Sequence, residues 1–233
     1  MFSAGRAFEQ VRNSVGYPHL NVKIVGSHAG ISVGEDGATH QCCEDIALMR
    51  TIPGMVVLNP ADHYEMQAAV KAAAEYYGPV YIRLGRLAVE SCNNNDDYKF
   101  EIGKGITLRD GKDITVIASG LMVGEAVKAV KALEADGIDV RLIDMHTIKP
   151  LDRELVLKAA QETGRIVTVE EHNVIGGLGE AVASYLSEAC PTPVIKIGVN
   201  DVFGHSGPAV DLLKEFGLSA ENIEATVKKA LGK

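Results

Sequence analysis

The second half of this chain alternates short apolar runs with helical stretches, and that alternation restricts its fold more than any other feature. Strands fit Ile114–Ala118, Val140–Ile143, Arg165–Val169 and Val194–Ile197. Between the first two, Val123, Ala126, Val127, Val130 and Leu133 recur at helical spacing, and Gly137 stops the run. Pro150 and Asp152 open a further helix that Gly164 closes. Strands joined through helices form βαβ units, in which each crossover returns the chain to a parallel neighbour. A parallel sheet must bury both faces, so the expectation is an α/β fold with helices on either side.

The first half follows the same logic less regularly. Asn21–Gly26, Met55–Leu58 and Pro79–Leu84 read as strands, and the stretch from about His40 to Arg50 as a helix. Asp62, followed by Glu65, forms a capping box for a helix whose Met66, Ala69, Val70 and Ala73 face the core. Gly5–Arg12 reads as a helix with no strand before it to pack on. A polar turn cluster at Asn93–Asp97 marks a change of texture, and the domain boundary is placed near residue 104. The expected organisation is two domains, 1–104 and 105–233, each a mainly parallel sheet flanked by helices, the first incomplete. Two short helices close the chain, one started by Ser206 with Pro208 just inside, the other by Ser219.

Composition removes several classes of function. With 31 acidic residues against 23 basic ones, the net charge of −8 disfavours nucleic acid, which requires clustered Lys and Arg. No apolar run approaches a membrane span, so no membrane partner is expected. Four cysteines (Cys42, Cys43, Cys92 and Cys190) without a C-x-x-C spacing fit a reducing, cytoplasmic setting, with the adjacent pair read as small buried thiols on a helix.

Chemistry concentrates in the loop after the first strand. From His28 to Gln41, three glycines, two acids and two histidines share 14 residues. Ligands of open parallel sheets bind beyond the carboxyl ends of strands, where this loop falls. Glycine lets backbone turn sharply or approach a ligand, and imidazole exchanges protons near neutral pH. Two other readings stay open: a surface turn whose histidines bond neighbouring carbonyls, and a metal site from His28, Asp36 and His40, although their spacing is not a zinc signature. A second glycine run, Gly176-Gly177-Leu178-Gly179-Glu180, stands at a helix start. It fits a packing turn better than an anion site, because the dinucleotide-binding spacing is missing.

The loop also carries a resemblance. Gly34-Glu35-Asp36-Gly37-Ala38-Thr39-His40-Gln41 is similar to a motif of transketolases. Glu44 to Met55, Asn59-Pro60-Ala61-Asp62 and Gly78 to Arg86 follow as in that family, and Asp144 to Asp152 and Glu170-Glu171-His172 resemble its C-terminal domain. Together these motifs cover essentially the whole chain, and the two-subunit branch is the nearest pattern. The resemblance implies a partial pyrimidine-binding domain plus a C-terminal domain, and transfer of a two-carbon ketol unit between phosphorylated sugars with thiamine diphosphate. It implies that Phe2 packs on the cofactor's aminopyrimidine ring, that His28 and Arg86 bind the substrate phosphate, that Asp36 reads a substrate hydroxyl, and that His40 stands beside the reacting carbon. Phe2 idle at a frayed terminus and Arg86 as a solvated strand-end charge remain open alternatives.

The family's glutamate motif that starts cofactor deprotonation lies upstream of the residues present, so the chain reads as N-terminally truncated and inactive alone. The diphosphate and its Mg2+ or Ca2+ are expected on a separate N-terminal subunit, with a homodimer of this chain as a further partner. Gly5 stands where many single-chain relatives carry another stacking aromatic, which leaves less aromatic surface for the cofactor. A deoxyxylulose-phosphate synthase-like half is the enzymatic alternative, disfavoured by Glu35, and a non-catalytic dimerisation module is the alternative of another class.

Overall fold

The computed structural model describes residues 1–93 and 98–233, so residues 94–97 of the expected polar turn cluster lie outside the described residues. Two sheets are present. The first has the order β1-β3-β2-β7, built from β1 (Lys23–Gly26), β2 (Val56–Leu58), β3 (Val80–Arg83) and β7 (Thr147–Lys149). The second has the order β4-β6-β5-β8-β9, from β4 (Ile106–Arg109), β5 (Ile114–Ala118), β6 (Val140–Asp144), β8 (Ile166–Asn173) and β9 (Val194–Val199). Within each sheet the neighbours pair in parallel except at one edge, where β7 lies antiparallel to β2 and β4 antiparallel to β6. The fold is α/β with two mainly parallel sheets, as the alternation requires.

Helices follow the strands. The chain opens with wide helical turns, Phe2–Arg6 and Val11–Gly16, on either side of the short α1 (Phe8–Gln10). Then come α2 (Asp45–Thr51), α3 (His63–Glu75), α4 (Met122–Ala135), α5 (Arg153–Thr163), α6 (Leu178–Ala189), α7 (Ala209–Glu215) and α8 (Ala220–Ala230). Their ends obey short-range rules. Asp62 accepts the Glu65 N–H at 2.9 Å, Asp152 the Leu155 N–H at 3.1 Å, and Ser219 the Asn222 N–H at 3.4 Å. Gly164 ends α5 in the left-handed region, where other residues pay a steric penalty.

Several expectations change. The box at Asp62 is displaced by one residue, because the Glu65 carboxylate accepts from Ala61 N–H at 2.6 Å and not from Asp62. Val70 is exposed, so α3 contacts the core through Ala69 and Ala73, with half-buried Met66 packed beside them. The helix expected from His40 begins only at Asp45, since Gln41 spends its amide on loop carbonyls and Cys42 and Cys43 run irregularly. Both thiols are buried as expected, but not on a helix. Pro208 sits just before α7, whose first residue is Ala209.

Beyond Asp144 the chain crosses back to the first sheet as β7. Ile46, Met49, Val57 and Tyr81 from the first half therefore share one buried cluster with Ile117, Ile143 and Val182 from the second. The carboxyl end of β8 lies behind the loop that follows β1, where the Glu171 carboxylate accepts the Ser32 N–H.

Candidate active site

The loop after β1 is tied at its foot to β3, where Leu84 N–H donates to Gly26 O at 2.8 Å and Ala29 N–H to Leu84 O at 3.1 Å. Gly30 N–H donates to Cys42 O at 2.9 Å and closes the base of a lobe that runs out to His40 and returns. Ile31–Asp36 forms tight helical turns broken at Gly34, whose φ of 80° with ψ of −117° is open only to glycine. Inside the lobe, Gln41 donates through Nε2 to Ile31 O at 3.2 Å, Gly34 O at 3.3 Å and His205 O at 3.0 Å. Buried Ile31, Ser32 and Val33 turn inward, and Glu35, Asp36, Thr39 and His40 are left exposed.

His28 is exposed, holds a left-handed φ of 62°, and shares a hydrogen bond with Ser27 Oγ at 3.1 Å. His40 shares one with Thr39 Oγ1 at 3.0 Å. The Phe2 ring meets His40 edge-on with centroids 5.1 Å apart, and the Arg6 guanidinium lies 4.4 Å from the same Phe2 centroid. Phe2 keeps 44% exposure, so the terminus is docked while its ring stays open to a ligand. Arg86 donates to Val33 O and pairs with Glu35 at 2.8 Å. Glu35 is held below the usual carboxylate range by its own backbone N–H first and then by Arg86.

Thus the structure joins Phe2 to His40 and Arg86 to the lobe. Among the described residues, no hydrogen bond or ring contact links His28 or Asp36 to those groups, although both lie exposed on the same loop. A cavity of about 530 Å³ adjoins the lobe, between Ala38, Thr39, Glu44, Asn173 and the loop at Val202 and Phe203. Among the described residues no three His, Cys, Asp or Glu side chains converge as a metal centre requires.

Behind the lobe lies a buried charge network that sequence reasoning missed. Asp45 Oδ2 accepts from Arg83 Nε and from Tyr81 OH, each at 2.8 Å, and Arg83 NH2 donates to Glu171 O at 2.8 Å. Burial works to raise the Asp45 carboxyl, but the Arg83 guanidinium holds it below the usual range. The signal available was Arg83 itself, a charge at the end of a wholly buried strand, where an unpaired ion is prohibitively costly.

The family models for the transketolase pyrimidine-binding domain and the transketolase C-terminal domain match residues 1–91 and 103–223. A Methanocaldococcus jannaschii protein, named provisionally as a transketolase C-terminal section, is 49% identical over 100% of this chain and 73% of its own length. The 6-deoxy-6-sulfo-D-fructose transketolase subunit of a Clostridium species is 45% identical over 95% of this chain and 69% of its own. A solved split-gene transketolase, described as an inactive β4 tetramer, superposes with a TM-score of 0.89 at 52% identity, covering 99% of this chain and 73% of that one.

The chain belongs to the transketolase family. It is a transketolase subunit of the C-terminal-section kind, with a pyrimidine-binding and a C-terminal domain. Membership implies thiamine diphosphate, and the residues present suit one end of that cofactor. Phe2, half-open beside an imidazole, offers an aromatic surface to a ring, whereas no cluster of acids that could take a metal adjoins it among the described residues. No helix among the described residues is long and apolar enough to cross a membrane.

Proposed function

We propose that this chain is the C-terminal subunit of a thiamine-diphosphate-dependent transketolase that moves a two-carbon ketol unit between phosphorylated sugars of the pentose phosphate pathway. The observation that carries the reading is the loop His28–His40, which is anchored from behind, leaves His28, Asp36 and His40 exposed, and meets Phe2 edge-on through His40. In this reading His28 and Arg86 hold the sugar phosphate by charge-assisted hydrogen bonds. Arg86 exchanges Glu35 for phosphate at little cost, because an exposed pair of this kind contributes about 0–1 kcal/mol. Asp36 accepts a hydrogen bond from a substrate hydroxyl and so reads its stereochemistry. His40 bonds substrate oxygens at the reacting carbon and moves protons there. Phe2 would pack on the aminopyrimidine ring, and the cofactor, when bound, would supply the electron sink that ketol transfer needs.

The diphosphate and its Mg2+ or Ca2+ fall to a separate N-terminal subunit, with a second copy of this chain completing the assembly in a cytoplasmic setting. The tetramer described for the split-gene relative supports self-association. The chain is divided functionally near residue 104. Preference among anionic sugars would be set at His28 and Arg86, since one relative is named for a sulfonated fructose. That the solved relative is an inactive tetramer favours a second reading, in which this chain by itself is an assembly module.

One assay separates the two. Ketol transfer from xylulose 5-phosphate to ribose 5-phosphate is measured with thiamine diphosphate and Mg2+, for this chain, its N-terminal counterpart and their mixture. Turnover is expected only in the mixture. Turnover by this chain alone, or none in the mixture, overturns the proposal.

A further inference from the structure

Among the described residues, the loop after β1 is held by the second half of the chain at two places: Gln41 donates to His205 O on its outer side, and one buried carboxylate reaches it from behind. Glu171, on β8, is 2% exposed, and its Oε1 accepts the Ser32 N–H at 2.6 Å. Gly30 lies directly against it, so that a Cβ at that position would run into the Glu171 carboxylate. Its φ of 83° is likewise a glycine conformation. The Glu171 carbonyl accepts from Arg83, itself paired with Asp45 at the start of α2, so the carboxylate is anchored before it reaches the lobe. Within the lobe's foot, His28 holds a left-handed φ of 62°, a conformation that a residue other than glycine keeps only where the surroundings enforce it.

We propose that Glu171 is a positioning residue: by holding Ser32 and Gly30 it sets the height of the lobe that presents His28, Asp36 and His40. This rests on the proposed role of those three side chains, whereas the clamp itself is a property of the subunit. Reach matters more than charge here, because the hydrogen bond is to one oxygen at the end of the side chain. Glu171→Gln keeps an acceptor at that reach, Glu171→Asp keeps the charge and loses the reach, and Glu171→Ala loses both.

The test combines two readouts. In the complex with the N-terminal subunit, Glu171→Asp and Glu171→Ala are expected to lower kcat/KM for xylulose 5-phosphate about tenfold to a hundredfold, while Glu171→Gln recovers most of it. In the subunit alone, amide exchange across residues 31–36 is expected to quicken by a similar factor in the Asp variant and not in the Gln variant, with β5 and β6 unchanged. Should Glu171→Ala not fold, the Asp and Gln pair decides alone. Exchange at 31–36 that is equal in the Asp variant and the native protein, or Gln behaving as badly as Asp, overturns the clamp. A complex without ketol transfer at all refutes the functional reading while leaving the exchange result to judge the clamp.

Discussion

Two loops of this subunit share a sequence texture and differ in what they do with it. The segment after β1 and the segment from Glu170 to Gly179, which runs from the end of β8 into α6, each lie at the carboxyl end of a parallel strand and each combine glycines, acids and histidine. After β1 the imidazoles of His28 and His40 and the Asp36 carboxylate stay exposed. At β8 every counterpart turns inward. Glu170 accepts from Leu178 N–H at 2.6 Å and Gly179 N–H at 2.8 Å, so the start of α6 is satisfied by the protein's own carboxylate. His172 is buried, facing Asn173 O at 2.7 Å and accepting the Ala47 N–H at 3.3 Å. Buried polar groups with partners in other elements build the frame, and the exposed imidazoles, hydrogen-bonded among the described residues only to the hydroxyl next to them in the chain, are left for a ligand.

That contrast can be broken by substitution. Glu170→Ala should have the largest effect, because it strands two buried N–H groups at the start of α6. A loss of about 3 kcal/mol in unfolding free energy by urea titration is expected. A loss under about 0.5 kcal/mol would mean that α6 does not depend on its carboxylate. His40→Ala should do the reverse. Unfolding free energy stays within about 0.5 kcal/mol of the native value, as for an exposed side chain, and turnover of the two-subunit complex falls about a hundredfold. Arg86→Ala is a smaller effect on binding: KM for the phosphorylated sugar rises roughly tenfold with kcat little altered, and an unchanged KM removes Arg86 from phosphate binding.

The smallest expected effect extends the comparison to a second buried carboxyl. Burial first of all pushes Glu65 up to about 7 from its ordinary 4.5, near Asp144, which burial also raises. The folded state thus holds a proton that the unfolded chain has released. The stability Glu65 contributes is complete below pH 4.5 and is lost as pH rises through about 7. Calorimetry should show the melting temperature falling from pH 5 to pH 8, with a shallower slope in Glu65→Gln; identical slopes would place the titration elsewhere.

Much of the frame was legible in the sequence because its causes are local. The caps at Asp62, Asp152 and Ser219 and the stop at Gly164 follow from side-chain reach and backbone sterics within a few residues. The loop after β1 stood out because its glycines and ionisable groups had no packing pattern to explain them. What escaped is long-range. Three residues, Thr147–Lys149, are too few to show a strand period, so the crossing of β7 into the first sheet left no trace. Glu171 and Ser32 lie 139 positions apart, and nothing near either predicts their bond. The second glycine run was legible as a packing turn because it lacks the spacing of an anion site, but that Glu170 would close it was not, because burial is settled by neighbours from other elements.

The histidines themselves give the most direct test. In the assembled complex, ring proton signals are followed by NMR as a phosphorylated sugar is added. His28 and His40 should shift on binding, whereas buried His172 and His146, the latter held near pKa 4 by burial, should not. Signals of His28 and His40 that stay fixed at saturating ligand, or shifts confined to His146 and His172, would contradict the assignment of the outward loop as the sugar-binding wall.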